Sequence, residues 1–209
     1  MDIIKQNQEM IKNLRKRKAL KTKRIIDAFY KIPRHLFIPE KYLSSSYGDF
    51  PLPTMHGQTI SQPYTVAMML EALKPKKDEK ILEIGTGSGW TAALIGYIVG
   101  EKGKVVSIDI FDDLIEFAKE NIEKTGLKNI ILICADGKKG YKKEALYDRV
   151  IINAACDKVP KDIIEQTKVG GTIVAPINDF LSQKLMVFKK RKKKLVGKSL
   201  GNYLFVPLR

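Results

Sequence analysis

Cysteine and histidine are scarce in this chain, with two of each among 209 residues. Cys134 and Cys156 are too few for a disulfide framework and lack any metal-ligand spacing, so a reducing cytoplasm is the expected compartment. Cys134 lies in a strand pattern and reads as a small buried hydrophobe. His35 and His56 form neither a His-Asp pairing pattern nor a metal set, and no metal is expected. Apolar residues make up an ordinary 44%, yet no run reaches membrane-spanning length and the N-terminus lacks the apolar stretch of a signal peptide. No membrane partner is expected. Acids are also in short supply, 23 against 38 bases, which leaves a net charge of +15. Residues 12–24 hold eight of the bases and residues 189–194 an unbroken six. Clusters of this size can bind phosphate backbones nonspecifically. The second run has no interleaved aromatics on which bases could stack. The two runs therefore read as a solvated helix face and a hairpin tip, and no specific nucleic-acid partner is expected.

The length suits one domain, residues 1–209, with interior enough for a full sheet. Residues 2–31 read as helical, with apolar residues at helical spacing until Pro33 stops them. Residues 32–62 form a long connector rich in proline and glycine, whose Phe37, Tyr42, Tyr47 and Phe50 argue against disorder. Residues 1–62 thus read as a helical extension and connector, and 63–209 as a core. Pro63 suits the first turn of a helix, with Ser61 or Gln62 as its cap. From Lys80 onward strands and helices alternate. Strands are expected near 80–84, 104–109, 129–134, 147–153 and 172–176, with a helix from Pro160 to about Thr167. Two last strands, near 185–188 and 204–206, flank the lysine run. Such alternation implies a parallel sheet with helices on both faces.

Lys80-Ile81-Leu82-Glu83-Ile84 reads as a buried parallel strand. Gly85-Thr86-Gly87-Ser88-Gly89 follows, and then helical spacing from Trp90. Glycines in that setting permit positive φ and let a ligand lie against bare backbone. The helix beyond them offers unpaired N–H groups to an anionic ligand group. The spacing G-x-G-x-G is shorter than the dinucleotide fingerprint, which disfavours a nicotinamide cofactor. The next strand ends at Asp109, where an acid can accept hydrogen bonds from both hydroxyls of a ribose. The third runs into Ala135-Asp136-Gly137. A nucleoside cofactor is the expectation.

This loop resembles the first motif of Rossmann-like class I methyltransferases dependent on S-adenosylmethionine, in which an acid at Asp136 faces the adenine amino group. A second motif is Gly57-Gln58-Thr59-Ile60-Ser61-Gln62-Pro63-Tyr64. With it stand Ile32-Pro33-Arg34-His35-Leu36-Phe37-Ile38-Pro39, Tyr47-Gly48-Asp49-Phe50-Pro51-Leu52-Pro53 and the closing Phe205-Val206-Pro207-Leu208. On these residues the chain, from Ile32 onward, resembles the protein-L-isoaspartate (D-aspartate) O-methyltransferase family. The resemblance implies an α/β fold: a doubly wound, mostly parallel sheet with a helical N-terminal extension. It implies S-adenosylmethionine as cofactor and S-adenosylhomocysteine as product. The activity it implies is protein repair, by methyl transfer to the free α-carboxylate of L-isoaspartyl residues, with D-aspartyl acceptance left open. Ser61 takes the active-site role on the substrate carboxylate, and Gln58, Thr59, Ile60, Ser61 and Tyr64 border the cofactor. Glu83, Gly85, Thr86, Gly87, Ser88, Gly89, Asp109, Ile110, Asp136 and Gly137 complete the implied cofactor site. Peptides and proteins carrying isoaspartyl residues are the expected partners of a cytoplasmic monomer.

Such chemistry needs few residues. A free α-carboxyl, with a pKa of about 3.3–3.7, is already an anion at neutral pH. The protein's task is alignment rather than proton removal. His56 then has no catalytic duty and reads as a loop histidine. The alternative is an RNA or DNA methyltransferase, suggested by the basic runs. Amino-group methylation of bases goes with an Asn/Asp-Pro-Pro-aromatic motif after the fourth strand, where this chain has Asn153-Ala154-Ala155-Cys156. Departures from the family pattern, at Thr54-Met55-His56, Asn153 and Asn178, fall on the expected shape of the peptide groove.

Overall fold

The computed structural model describes residues 2–209. The N-terminal stretch is two helices rather than one, α1 (Ile3–Lys16) and α2 (Lys23–Lys31). Lys18 adopts a left-handed conformation at φ 59° and turns the buried Ala19 and Leu20 into the core. Glu71 then fixes the link, its carboxylate accepting from the N–H groups of Lys21 and Thr22 and from the Thr22 hydroxyl at 2.7–2.8 Å. Helical spacing persists across this break, which is why the sequence reads as continuous.

The connector is ordered by three 3-10 turns, Arg34–Phe37, Glu40–Ser45 and Met55–Gly57, and by a short antiparallel pair, β1 (Leu52–Pro53) with β2 (Thr59–Ile60). α3 (Pro63–Leu73) follows, with proline in its first turn as expected. Neither proposed cap works through its side chain. Gln62 occupies the cap position without capping, and Asp49 instead accepts from the Tyr64 N–H at 2.9 Å.

The main sheet contains β3 (Lys80–Ile84), β4 (Lys104–Asp109), β5 (Ile130–Cys134), β6 (Tyr147–Ile152), β7 (Thr167–Asp179), β8 (Ser182–Lys190) and β9 (Leu195–Tyr203), in the order β5-β4-β3-β6-β7-β8-β9. The first five run parallel and the last two are added antiparallel. The chain winds outward from β3 to β5, then returns to place β6 on the other side of β3. The junction of β3 and β6 is therefore a topological switch point, where the carboxyl ends of strands open a crevice. α4 (Trp90–Val99), α5 (Asp112–Glu123) and the short α6 (Lys161–Gln166) complete the fold.

Side chains alternate between two apolar clusters along each central strand, the period-2 consequence of the pleat. Ile81, Val105, Ile151 and Val174 face the cluster shared with α1–α4, which runs unbroken from Met10 to Leu185. Leu82, Val106, Val150 and Ile173 face the other, where α6 and irregular segments supply Ile163, Val159 and Tyr141. Helical cover is thus heavy on one face and thin on the second.

Two further expectations fail. Cys134 ends the edge strand β5 and is exposed, because no further strand covers that edge; Cys156 is the buried cysteine. The final strand is Leu195–Tyr203, not 204–206, since β9 must pair with β8 directly across the turn. Residues 204–209 instead fold back over the strand ends, where Pro207 bridges to Ala155. The lysine run does form the tip of the β8–β9 hairpin, closed by Arg191 N–H to the Lys194 carbonyl at 2.8 Å. No described helix is long and apolar enough to cross a membrane.

Candidate active site

The glycine loop sits at the switch point. Gly85, Gly87 and Gly89 all have positive φ, which a β-carbon would strain. A side chain at Gly87 would point into open space, so the backbone there is bare toward the cavity. Gly87 N–H donates to Asp109 Oδ2 at 2.9 Å, which draws the end of β4 against the loop. Asp109 keeps its Oδ1 nearly free, with one long contact of 3.3 Å from the Phe111 N–H.

Beneath the loop lies a buried polar chain. Thr86 and Ser107 hydroxyls meet at 2.7 Å, and Ser107 donates to Glu83 at 2.6 Å. Asn153 donates to the other Glu83 oxygen at 2.8 Å and to the Gly85 carbonyl at 3.0 Å. Asn153, which the sequence marked only as a departure, thereby ties β6 to the loop. Burial pushes the Glu83 carboxyl up to about 8, against the opposing pull of the Ser107 and Asn153 hydrogen bonds.

That shift carries a stability prediction. The folded pKa lies above the usual carboxyl value of about 4.3, so the folded chain keeps a proton that the unfolded chain loses as pH rises from about 4.5 to 8. Stability conferred by the neutral acid should fall through that window and level off above it. Glu83→Gln should flatten this slope, because the amide can donate to Ser107 and accept from Asn153. Urea midpoints at pH 5, 6.5 and 8 check it. A parent protein whose midpoint climbs across the window would contradict the assignment.

Two adjoining cavities share Gln58, Gly85, Asp109 and Ala154, and so form one cleft with Asp109 at its waist. One arm is lined by Thr59, Ile60, Ser61, Thr86, Gly87, Ser88, Trp90 and Asn153. The other is more apolar, with Ile84, Ile108, Ile110, Phe111, Gly137 and Leu208. A groove of about 810 Å³ opens beside the first arm, between Arg17, Tyr64 and the Tyr203–Val206 segment. Thr59, Ser61, Asn153 and Val206 line both cleft and groove.

The structure therefore gathers Gln58, Thr59, Ile60, Ser61, Gly85, Thr86, Gly87, Ser88, Asp109, Ile110 and Gly137 around one cleft. Four other sequence candidates lie off it. Tyr64 belongs to the groove, under the Arg17 guanidinium at 4.1 Å. Glu83 lies under the loop, Gly89 caps α4, and Asp136 spends its Oδ1 on the Lys138 N–H. The Ser61 hydroxyl makes no hydrogen bond among the described residues, and only its carbonyl is engaged.

Arg34 is the residue that sequence reasoning passed over. It is fully buried, and its guanidinium donates to the carbonyls of Ser46, Gly48, Phe50 and Ser61 at 2.7–3.2 Å. It also lies over Trp90, whose indole N–H donates to the Ile32 carbonyl at 3.1 Å. Burial lowers its pKa to about 10, which leaves it a cation at neutral pH. The planar fork of one arginine can satisfy several carbonyls at once, and here it folds the connector around itself. A helix-spaced search could not find it, because all four acceptors are backbone.

His56 stays a loop histidine, but contrary to the sequence reading it has a His-Asp pairing, with an acid 57 residues away. Its ring stacks on Phe111 at 4.1 Å and its Nε2 meets Asp113 at 2.7 Å. The segment that carries Gln58 is thus tied to the start of α5.

The chain matches the family described as protein-L-isoaspartate(D-aspartate) O-methyltransferase over residues 5–209. It is 41% identical to protein-L-isoaspartate O-methyltransferase 2 of Archaeoglobus fulgidus, across all of this chain and 95% of that one. Identity is also 41% to the protein-L-isoaspartate O-methyltransferase of Pyrococcus abyssi, over all of this chain and 96% of the relative. A solved protein-L-isoaspartate O-methyltransferase superposes with a TM-score of 0.88 at 34% identity, covering 96% of this chain and 65% of that longer one. The Plasmodium falciparum structure described as a complex with S-adenosyl-L-homocysteine superposes at 0.87 with 21% identity, a likeness of fold.

Proposed function

Because this chain belongs to the protein-L-isoaspartate (D-aspartate) O-methyltransferase family, we propose that its cleft holds S-adenosylmethionine and its groove presents the free α-carboxylate of an isoaspartyl residue. The observation that carries this reading is the shared wall of Thr59, Ser61, Asn153 and Val206 between cleft and groove. A methyl donor on one side and a carboxylate on the other would meet there.

The residues suit the cofactor. Bare backbone at Gly87 lets a ligand approach closely, and the Oδ1 of Asp109, with only one long contact, can accept from ribose hydroxyls. The apolar arm between Ile110, Phe111, Gly137 and Leu208 suits a flat purine. When bound, the cofactor supplies an electrophilic methyl group on a sulfonium.

The protein's own contribution is positional. Ser61, with its hydroxyl unengaged, donates to one oxygen of the substrate carboxylate and aims the other along the attack line. Arg34 holds the Ser61 carbonyl and so fixes the backbone from which that hydroxyl projects. Asn153, anchored to Glu83, gives the wall its rigidity. The carboxylate arrives ionised, so no group has to remove a proton.

A hydrogen bond to a charged group is worth about 1.5–3 kcal/mol. Ser61→Ala should therefore slow single-turnover methylation of an isoaspartyl peptide roughly 10- to 150-fold. Between about pH 6 and 8 the chemical step should stay nearly flat in both parent and variant. The normal aspartyl twin peptide should not react. Equal rates on the two isomers would sink this reading. A limb near pH 6.5 that vanishes in His56→Ala would point to a nucleophile that must first be deprotonated.

A further inference from the structure

We infer that the pole opposite the cleft is a docking surface for a nucleic-acid duplex, gripped through its phosphate backbone without reading sequence. Topology puts the charge there. In a parallel sheet the loops that enter strands lie at the end opposite those that leave them, and the excess of unpaired base gathers at the entering end. Lys77, Lys102, Lys128 and Lys143 stand in the loops entering β3, β4, β5 and β6. Register places the β8–β9 turn, Arg191–Lys194, at the same end, since Lys189 lies opposite Thr172 where β7 begins to pair with β8. The loops leaving strands mix the signs: Asp136 with Lys138 and Lys139 after β5, and Asp157 with Lys158 after β6, while Asp112 and Asp113 open α5.

The basic side chains are available. Lys77, Lys102, Lys128, Lys143 and Arg191–Lys194 are all exposed, and none has an ion-pair partner among the described residues. Several acids at this pole are already engaged: Glu144 with Lys80 and Lys104, Glu79 with Arg149, Asp148 with Lys168. Asp78 and Glu101 are the exposed acids that remain in the same loops. Partial burial first, and then the nearness of Arg149, Lys76 and Arg191, lower the pKa of Lys189. Ion-pair networks that stabilise a fold need both signs. Unpaired like charge at one end adds self-repulsion instead.

The dimensions select the partner. The sites reach from β5 to β9 across a seven-stranded sheet. At about 4.8 Å between strands the span is about 29 Å, close to the roughly 34 Å of one duplex turn. No exposed aromatic lies in these loops, so single strands would find no stacking platform. This surface is remote from the cleft and does not depend on the reaction assigned above.

The test is fluorescence anisotropy of the whole protein with a labelled 20-base-pair duplex, as RNA and as DNA, from 50 to 300 mM salt. A single strand and phosphatidylserine vesicles serve as comparisons. Both duplexes should bind with micromolar affinity at low salt, regardless of sequence. The combined variant Arg191→Gln, Lys192→Gln, Lys193→Gln, Lys194→Gln should lower the slope of log affinity against log salt by about 3.6, at about 0.9 per phosphate contact. Lys77→Gln with Lys128→Gln, at the other end of the surface, should lower it by about 2. Isoaspartyl-peptide methylation should stay within a few fold in both variants and in the presence of duplex. Absent duplex binding at 50 mM salt, binding unchanged in both variants, or tighter binding to vesicles than to duplex would each overturn the proposal.

Discussion

Arg34→Met is expected to lower stability by about 3–5 kcal/mol and to slow methyl transfer to isoaspartyl peptides by up to the roughly 10- to 150-fold expected of Ser61→Ala. The energy follows from what is left behind. Four carbonyls that now share one guanidinium would face a thioether in a dry interior, and each buried polar group left unmet costs about 1–3 kcal/mol. Partial access of water to Gly48 and Phe50 keeps the total below the full sum. In a chain of this size the loss corresponds to a melting temperature lower by roughly 6–20 °C. Activity falls for a separate reason: the Ser61 backbone loses its anchor. Arg34→Lys should restore part of the stability, because a point charge with three donors can satisfy some of the acceptors but not the planar set. Calorimetric melting combined with single-turnover rates checks both effects. A methionine variant that melts within 2 °C of the parent would show that the buried cation is not what orders the connector.

The second large effect concerns the cofactor. Asp109→Ala should weaken S-adenosylmethionine roughly 10- to 150-fold, the equivalent of about 1.5–3 kcal/mol for charge-assisted hydrogen bonds to a ribose. Asp109 has two duties, since its Oδ2 also accepts the Gly87 N–H. Asp109→Asn separates them. The amide can keep its oxygen on Gly87 while turning a donor toward the ligand, so affinity should still drop with the loop intact. Titration calorimetry on folded variants reads the outcome directly. Unchanged affinity in Asp109→Ala would remove this residue from the cofactor site.

The parallel part of the sheet was legible because its strands contain short apolar runs, β3 closed by Gly85 and β4 by Asp109, separated by stretches of helical spacing. The cleft residues were legible for the same reason: Gly85, Gly87 and Asp109 sit where strands end. What escaped was set by distant partners. The break after α1 depends on Glu71, and the cap of α3 on Asp49, neither of which is near in sequence. Arg34 was hidden because carbonyl acceptors leave no trace in residue type. Cys134 looked like core because its neighbours are apolar, but an edge strand lacks one side of cover. The final strand was placed too late because Phe205-Val206-Pro207-Leu208 is apolar for another purpose, lining the cleft and groove.

The wall shared by Thr59, Ser61, Asn153 and Val206 also constrains how such an enzyme can diverge. A substitution in that wall is felt on both sides, so a change that favours a new peptide neighbourhood would disturb the methyl donor as well. Tyr64, Asn202, Tyr203 and Leu204 face the groove alone. If the groove takes the peptide as proposed, drift in tolerance for the sequence around a damaged site would accumulate on the end of β9 and the first turn of α3, while the wall would be held still by the reaction it divides.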